Sequence, residues 1–310
     1  MEEYTSALAY HNEKGCVVTI GTFDGVHLGH TAIIERLVKL AKQEGLDAVL
    51  LTFFPHPRMV LQKDTNLKLI NTLNEKKELL ESLGIDHMVV EPFTKEFSRL
   101  TALEYVRDIL VNQLNAKHII IGYDHRFGRN RTANIDNLKE YGETYGFQVE
   151  DITAQELNDV AISSTKIRNA LSEGDITTAN EYLGYAYPLS GLVANGRKIG
   201  KTLGYPTANL KVDQDYKLIP KKGVYLVRSF INGTPHYGLT SIGTNPTVGG
   251  KETTIETFFM DFEGDLYGQF ITLEFITHIR EEAHFESLDE LVSAIKDDEQ
   301  FARNFLKDHE

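Results

Sequence analysis

The chain has 310 residues, 41% hydrophobic and 25% charged, the make-up of an ordinary globular protein with room for two cores. A formal net charge of −13 weighs against non-specific contact with nucleic acid or an acidic membrane surface. A single cysteine excludes an internal disulfide framework, and the strongest apolar run, Ala48 to Phe54, is far too short to span a bilayer. The acidic first residues carry no signal-peptide pattern, so the cytoplasm is the expected location. ATP stays open as a ligand, because local basic clusters decide that: Arg126/Arg129/Arg131, Lys166/Arg168 and Arg197/Lys198/Lys201.

Up to about residue 183, strand and helix patterns alternate. Strands are predicted at 16–21, 48–53, 86–91, 117–122 and 147–151, and helices at 30–43, 74–83, 101–114 and 134–144. Crossovers of this length predict an α/β domain, a parallel sheet with helices on both faces. Ligands in such sheets bind beyond the carboxyl ends of the strands. Three segments sit at such ends and should converge on one cleft: Gly21 to His30, Phe54-Pro55-His56-Pro57, and Gly122-Tyr123-Asp124-His125. After about residue 185 the pattern changes to short alternating segments at 188–194, 223–231, 235–242, 253–262 and 269–278, with turn signals such as Asn232-Gly233. One amphipathic helix closes the chain through Leu288, Leu291, Val292, Ile295, Phe301 and Phe305. This half predicts a small antiparallel β-barrel with a terminal helix. The expected domains are 1–183 and 184–310, close-coupled, since no Ser/Pro-rich linker separates them.

Gly21-Thr22-Phe23-Asp24-Gly25-Val26-His27-Leu28-Gly29-His30 places three glycines and two histidines at a strand-to-helix turn. Free amides and the positive end of a helix dipole suit a phosphate there. Glycine permits close approach, and imidazoles add donors that can follow charge developing on phosphoryl oxygens. The spacing lacks the G-x-G start of a dinucleotide fingerprint, and no third ligand stands nearby to make the histidines a metal site. Asp24 either caps the turn or orients a ligand. Ser163-Ser164-Thr165 before a helical run form an N-cap, and Arg168 one turn later either meets solvent or clasps a triphosphate. Gly196 to Thr202 is one residue short of a P-loop and lies in β-type surroundings, so no Walker A site is expected. On composition, Pro206-Thr207-Ala208-Asn209 is a turn and Glu256 a strand carboxylate facing solvent or a polar cleft.

His27-Leu28-Gly29-His30 resembles the H-x-G-H signature of the nucleotidyltransferase superfamily. The ten-residue form resembles the bacterial bifunctional riboflavin kinase/FAD synthetases, and segments along nearly the whole chain agree. The resemblance implies a nucleotidyltransferase-type first domain that adenylylates FMN to FAD with release of pyrophosphate. It implies a second domain that phosphorylates riboflavin to FMN. ATP is the co-substrate, Mg²⁺ the metal, and no nucleic acid or membrane takes part. His27 and His30 would be catalytic, with Gly21, Phe23, Asp24, Gly25, Ser163, Ser164, Thr165 and Arg168 around ATP. Phe54 and His56, in an F-x-P-H-P element, and Asp124 and Arg131, in a G-x-D-F-x-F-G-x-x-R-x-G element, would hold the flavin. His125 and Ala133 depart from that last pattern. In the second domain, a G-x-P-T-A-N motif and its preceding loop would bind ATP through Gly196, Lys201, Gly204, Pro206, Thr207 and Asn209. Thr207 and Asn209 would also bind the metal. Glu256 would take the proton from the riboflavin 5′-hydroxyl, with Arg280 near the flavin. Tyr205 stands where Phe is commoner, and Phe258 where His or Tyr is common. The alternative is a nucleotidyltransferase of single activity with a non-catalytic binding or regulatory barrel. That would require a basic face with exposed aromatics, and the second half is not notably basic.

Overall fold

In the first apolar strand, β2 (Cys16–Ile20), successive residues enter opposite apolar layers: Cys16, Val18 and Ile20 one, Val17 the other. A sheet buried on both faces requires such a continuous apolar run. The computed structural model describes residues 1–62, 66–123, 125–153, 162–195, 204–247 and 250–309. Contacts divide the chain into two units, Met1–Ser164 and Thr165–Glu310.

In the first unit the six described strands are β1 (Glu2–Tyr4), β2, β3 (Asp47–Phe54), β4 (His87–Pro92), β5 (Ala116–Gly122) and β6 (Gln148–Ile152). All pairings are parallel, in the order β1-β4-β3-β2-β5-β6. The strand order reverses between β2 and β5, and that switch point opens a crevice at their carboxyl ends. Helices α1 (Leu28–Glu44) and α3 (Leu73–Ser82) pack on one face through Ile34, Leu37 and Leu80. Between them lies the short α2 (Pro57–Leu61). The opposite face is covered by α4 (Ala102–Glu104, continued over Tyr105–Gln113) and α5 (Ile135–Tyr145) through Val106, Leu110 and Leu138. Each fully buried Leu contributes about 1.5–3 kcal/mol. α4 starts as a single turn at Ala102–Glu104, capped by Thr101, and widens over Tyr105–Gln113, where Leu114 N–H donates to Ile109 O five residues back. Such widened turns recur at functional sites.

In the second unit, β7 (Tyr187–Ala194), β8 (Ala208–Lys211), β9 (Gly223–Ile231), β10 (Thr234–Thr247), β11 (Gly250–Phe259) and β12 (Phe270–Arg280) close an antiparallel barrel in the order β10-β11-β8-β7-β12-β9. Asn232 and Gly233 join β9 to β10 as a two-residue hairpin with both φ positive, 53° and 79°. The terminal helix α8 (Leu288–His309) packs Ala302 and Ile295 onto Leu226, Leu239 and Met260.

Two helices precede the barrel, α6 (Ser164–Glu173) and α7 (Ile176–Leu183). Leu171, Ile176, Ala179 and Leu183 are buried. Asn180 donates from Nδ2 to Phe275 O at 2.9 Å and accepts the Tyr187 N–H at 2.8 Å. Leu171 O accepts from Lys221 N–H at 3.0 Å. These residues stitch the helical pair to the barrel strands. A chain of residues 184–310 is therefore expected to melt at least about 5 °C below one of residues 165–310 in thermal denaturation. Equal melting temperatures would show the helices to be passengers.

Candidate active sites

The turn between β2 and α1 is tightly wound. Phe23 and Val26 hold positive φ of 44° and 34°, and Gly25 a φ of 92° that suits only glycine. Burial holds the two strained residues in place, at 3% and 2% exposure. α1 starts at Leu28, two residues earlier than its periodicity predicts, so His27 is the cap residue and His30 lies in the first turn. Their rings stack with centroids 3.6 Å apart and 15° between planes, and Phe23 tilts against His30 at 4.8 Å. Burial pushes His27 down to about 4, against a weaker upward pull from Asp24. Burial, with help from His27 and Lys76, holds His30 well below its ordinary value. Both rings are neutral at physiological pH. Both Nδ1 atoms are buried without a hydrogen-bond partner among the described residues.

A cavity of about 710 Å³ opens at the carboxyl ends of the strands. Gly21, Phe23, His30, His56 and Arg131 line it, all five predicted from the sequence. The Nδ1 of His56 accepts from Arg58 N–H at 3.1 Å, which fixes that nitrogen as the unprotonated one. One wall is aromatic: Phe53 meets Phe97 at 5.6 Å, Phe97 meets Tyr105 at 6.0 Å, and Tyr105 meets Phe127 at 6.0 Å. Arg58, Arg99, Arg126, Arg129 and Arg131 line it, and among the described residues no Asp or Glu does. A chain of charge −13 thus keeps a cationic pocket with low-dielectric walls, which concentrates anions.

Other predicted residues sit behind this surface. Asp24 is 2% exposed, and its Oδ1 accepts from Ile70 N–H at 2.9 Å and Asn71 N–H at 3.5 Å. Ser164 Oγ donates to Asp24 O at 2.8 Å, which brings the Ser163-Ser164 segment to the turn. Thr165 is exposed and Arg168 half-buried, and both fall in the second unit. Phe53 lines the cavity, whereas Phe54, its neighbour in β3, packs into the opposite apolar layer. Asp124 lies outside the described residues. His125 stacks at 6.1 Å on Phe127 and lines the cavity, so the ring that departs from the family pattern keeps a stacking role. Phe93, Phe97, Arg99 and Tyr105 went unpredicted. The carboxyl-end rule applied to the strand at 86–91 points to them.

In the barrel, Asn209 of β8 lies directly opposite Glu256 of β11. Thr207 Oγ1 donates to Glu256 Oε2 at 3.3 Å, so side chains predicted from two distant segments meet, with Asn209 at the paired position of the neighbouring strand. Pro206 and Thr207 border a cavity of about 100 Å³ with Asp265 and Tyr267. Gly204 has a φ of 82° beside it. Phe258 packs edge-on against Tyr205 at 5.0 Å, so the two residues that differ from the commoner pattern fit each other. The Arg280 guanidinium is forked onto Asp298 of α8, at 2.9 Å from Nε to Oδ1 and 2.9 Å from Nη2 to Oδ2. Gly196 and Lys201 lie outside the described residues.

Residues 9–166 match the family model described as FAD synthetase, and residues 183–306 the one described as riboflavin kinase. The chain belongs to the bifunctional riboflavin kinase/FMN adenylyltransferase family. It is 38% identical over 292 residues to the family member of that name from Listeria monocytogenes, covering 94% of this chain and 92% of the relative. The member from Escherichia coli strain K12 is 36% identical over 295 residues, covering 95% and 94%. A crystal structure described as a macrolide-efflux protein from Streptococcus pneumoniae has the same fold, with a TM-score of 0.87, 31% identity and coverage of 97% and 98%. Among the described residues of this family member, no helix is long and apolar enough to cross a membrane.

The buried imidazoles have a consequence for stability. Between the folded value of about 4 for His27 and the ordinary 6.5, the unfolded chain binds a proton that the folded turn refuses. Stability from this group is therefore complete above 6.5 and is lost as pH falls toward 4. The first unit should melt progressively earlier below pH 6.5 in thermal scans, and His27→Gln should flatten that dependence. An unchanged slope in His27→Gln would contradict the assignment.

Proposed function

We propose that the protein converts riboflavin to FMN in its C-terminal domain, residues 184–310, and FMN to FAD in its N-terminal domain, residues 1–183, using ATP in both reactions and working in the cytoplasm. The observation that carries the reading is the stacked, neutral His27–His30 pair, with His30 lining a cationic cavity that has no Asp or Glu among its described lining residues. Family membership supports both activities.

In adenylyl transfer, a phosphate oxygen of FMN attacks the α-phosphorus of ATP and pyrophosphate leaves. The nucleophile is already ionised at neutral pH, so the reaction needs no carboxylate base, and no Asp or Glu is among the cavity's described lining residues. Positioning and charge stabilisation dominate such a reaction. Amides of Gly21–Gly25 and the imidazoles of His27 and His30 would meet the triphosphate, with Asp24 and Ser164 holding the turn. A neutral imidazole donates one N–H, whose bond strengthens as charge builds on the phosphoryl oxygens. Ser163, beside Ser164, would also face ATP. The aromatic wall and His56 would take the isoalloxazine, and Arg131 the FMN phosphate.

In the kinase reaction, Glu256 would accept the proton of the riboflavin 5′-hydroxyl while its oxygen bonds to the γ-phosphorus and ADP departs. Thr207, Asn209 and Glu256 form a cluster of neutral and anionic oxygens, the donor set of a hard cation. Mg²⁺ arriving with ATP would be held by Thr207 and Asn209 and would neutralise phosphate charge. Arg280, fixed by Asp298, would border the flavin.

Incubation with riboflavin, ATP and Mg²⁺ followed by separation of flavins tests the reading: FMN and FAD should both form, and FMN without FAD would remove the adenylyl-transfer activity. His30→Ala should lower FAD formation by about 10²–10³-fold and leave FMN formation intact. Conversely, Glu256→Gln should lower FMN formation by about 10²–10⁴-fold while FAD still forms from supplied FMN. Equal loss of both activities in either variant would sink the division of labour.

A further inference from the structure

Lys76 of α3 is 4% exposed, yet it does not line the cavity. Its Nζ donates to Thr22 O at 2.7 Å, from behind the turn that joins β2 to α1. Thr22 itself lines the cavity. The same carbonyl also accepts from Thr52 Oγ1 at 3.2 Å, so it keeps a partner without the lysine. Two residues on, Asp24 is anchored by the Ile70 and Asn71 amides that lead into the same helix. The N-terminal end of α3 thus grips the phosphate turn twice, through an ammonium on a carbonyl and a carboxylate on amides. The helix start is rigid, with the reciprocal cap of Thr72 and Glu75.

An ammonium removed from water is unfavourable for folding, and an apolar side chain of equal length would serve packing better. Burial pushes Lys76 down to about 8, against an upward pull from Asp24, so it stays mostly protonated at neutral pH. A buried cation kept at this place is explained by the turn it holds.

We propose that Lys76 is a positioning residue for adenylyl transfer: by holding the Thr22 carbonyl it fixes the backbone of Gly21–Gly25, so that the turn amides and the His30 imidazole meet the ATP phosphates in one geometry. The inference rests on the adenylyl-transfer reading above. A small misplacement of such groups slows the chemical step while leaving flavin contacts on the far wall intact.

The test compares the full-length parent with Lys76→Met and Lys76→Arg. For each, kcat and KM for FAD formation from FMN and ATP are measured, with FMN binding by fluorescence quenching and thermal melting. Lys76→Met should melt no earlier than the parent and bind FMN within about threefold, while kcat falls about 10–100-fold. Lys76→Arg, which keeps the charge and the donor, should retain more kcat than Lys76→Met. A packing role predicts the reverse order, because methionine fits the space and arginine overfills it. The inference is overturned if Lys76→Met keeps kcat within about threefold of the parent, if it melts early and loses FMN binding, or if Lys76→Arg is the slower variant. A parent that makes no FAD overturns the adenylyl-transfer reading and this inference together. A parent that makes FAD beside an equally fast Lys76→Met overturns the inference alone.

Discussion

Two imidazole rings lie face to face, 3.6 Å apart, at the end of β2, and that contact persists only while both are uncharged and water is kept away. The local structure of the first unit serves this condition. Phe23 covers His30, and Val26 closes the turn beneath it, each at a positive φ that an L-residue adopts only under constraint from its surroundings. Neutral donors suit the reaction. In the proposed role they would hold the ground state of a polyanion loosely and bind more strongly as charge develops, which would favour the transition state over both ATP and pyrophosphate.

The barrel reaches its reactive geometry by register. Glu256 faces Asn209 on β8 and Ser241 on β10, and the next residue, Thr257, points to the other face. There its hydroxyl lies 2.8 Å from that of Thr240, both fully buried. A slip of one residue would exchange the two faces, burying a carboxylate where a hydroxyl pair now sits. The hydroxyl pair therefore fixes which residue of β11 reaches the cluster with Thr207. The same barrel accommodates Phe258 by giving it Tyr205 as an edge-on partner.

The strands that fix the first fold were legible because the doubly buried part of a strand must be apolar, as Cys16–Val18 of β2, Ala48–Leu51 of β3 and Ile119–Ile121 of β5 are. β1 was not, since three residues reading Glu-Glu-Tyr at a sheet edge carry no apolar pattern. β8 was hidden because Pro-Thr-Ala-Asn has turn composition, and only closure of the barrel makes Ala208–Lys211 a strand. The histidine turn was visible in its residue types. Its hydration was not, because burial depends on Phe23 folding back over His30. Phe53 and Phe54 are adjacent and identical in type, so which one enters the cavity is decided by the pleat. Lys76 left a trace: Leu73, Lys76, Leu80 and Leu83 recur at helical spacing, so a lysine interrupts an apolar stripe.

The distribution of charge between the two sites follows from the nucleophiles they activate. A phosphate monoester needs no base at neutral pH, and it approaches a triphosphate that repels it. The first cavity answers repulsion, with arginines from β5's following loop, from α2 and from the segment before α4, and with no carboxylate among its described lining residues. A primary hydroxyl is neutral, approaches without repulsion, and must lose a proton as it attacks. The second site would answer that need with the proposed base Glu256, placed 3.3 Å from the Thr207 hydroxyl. Two opposed electrostatic requirements are met by giving each reaction its own core.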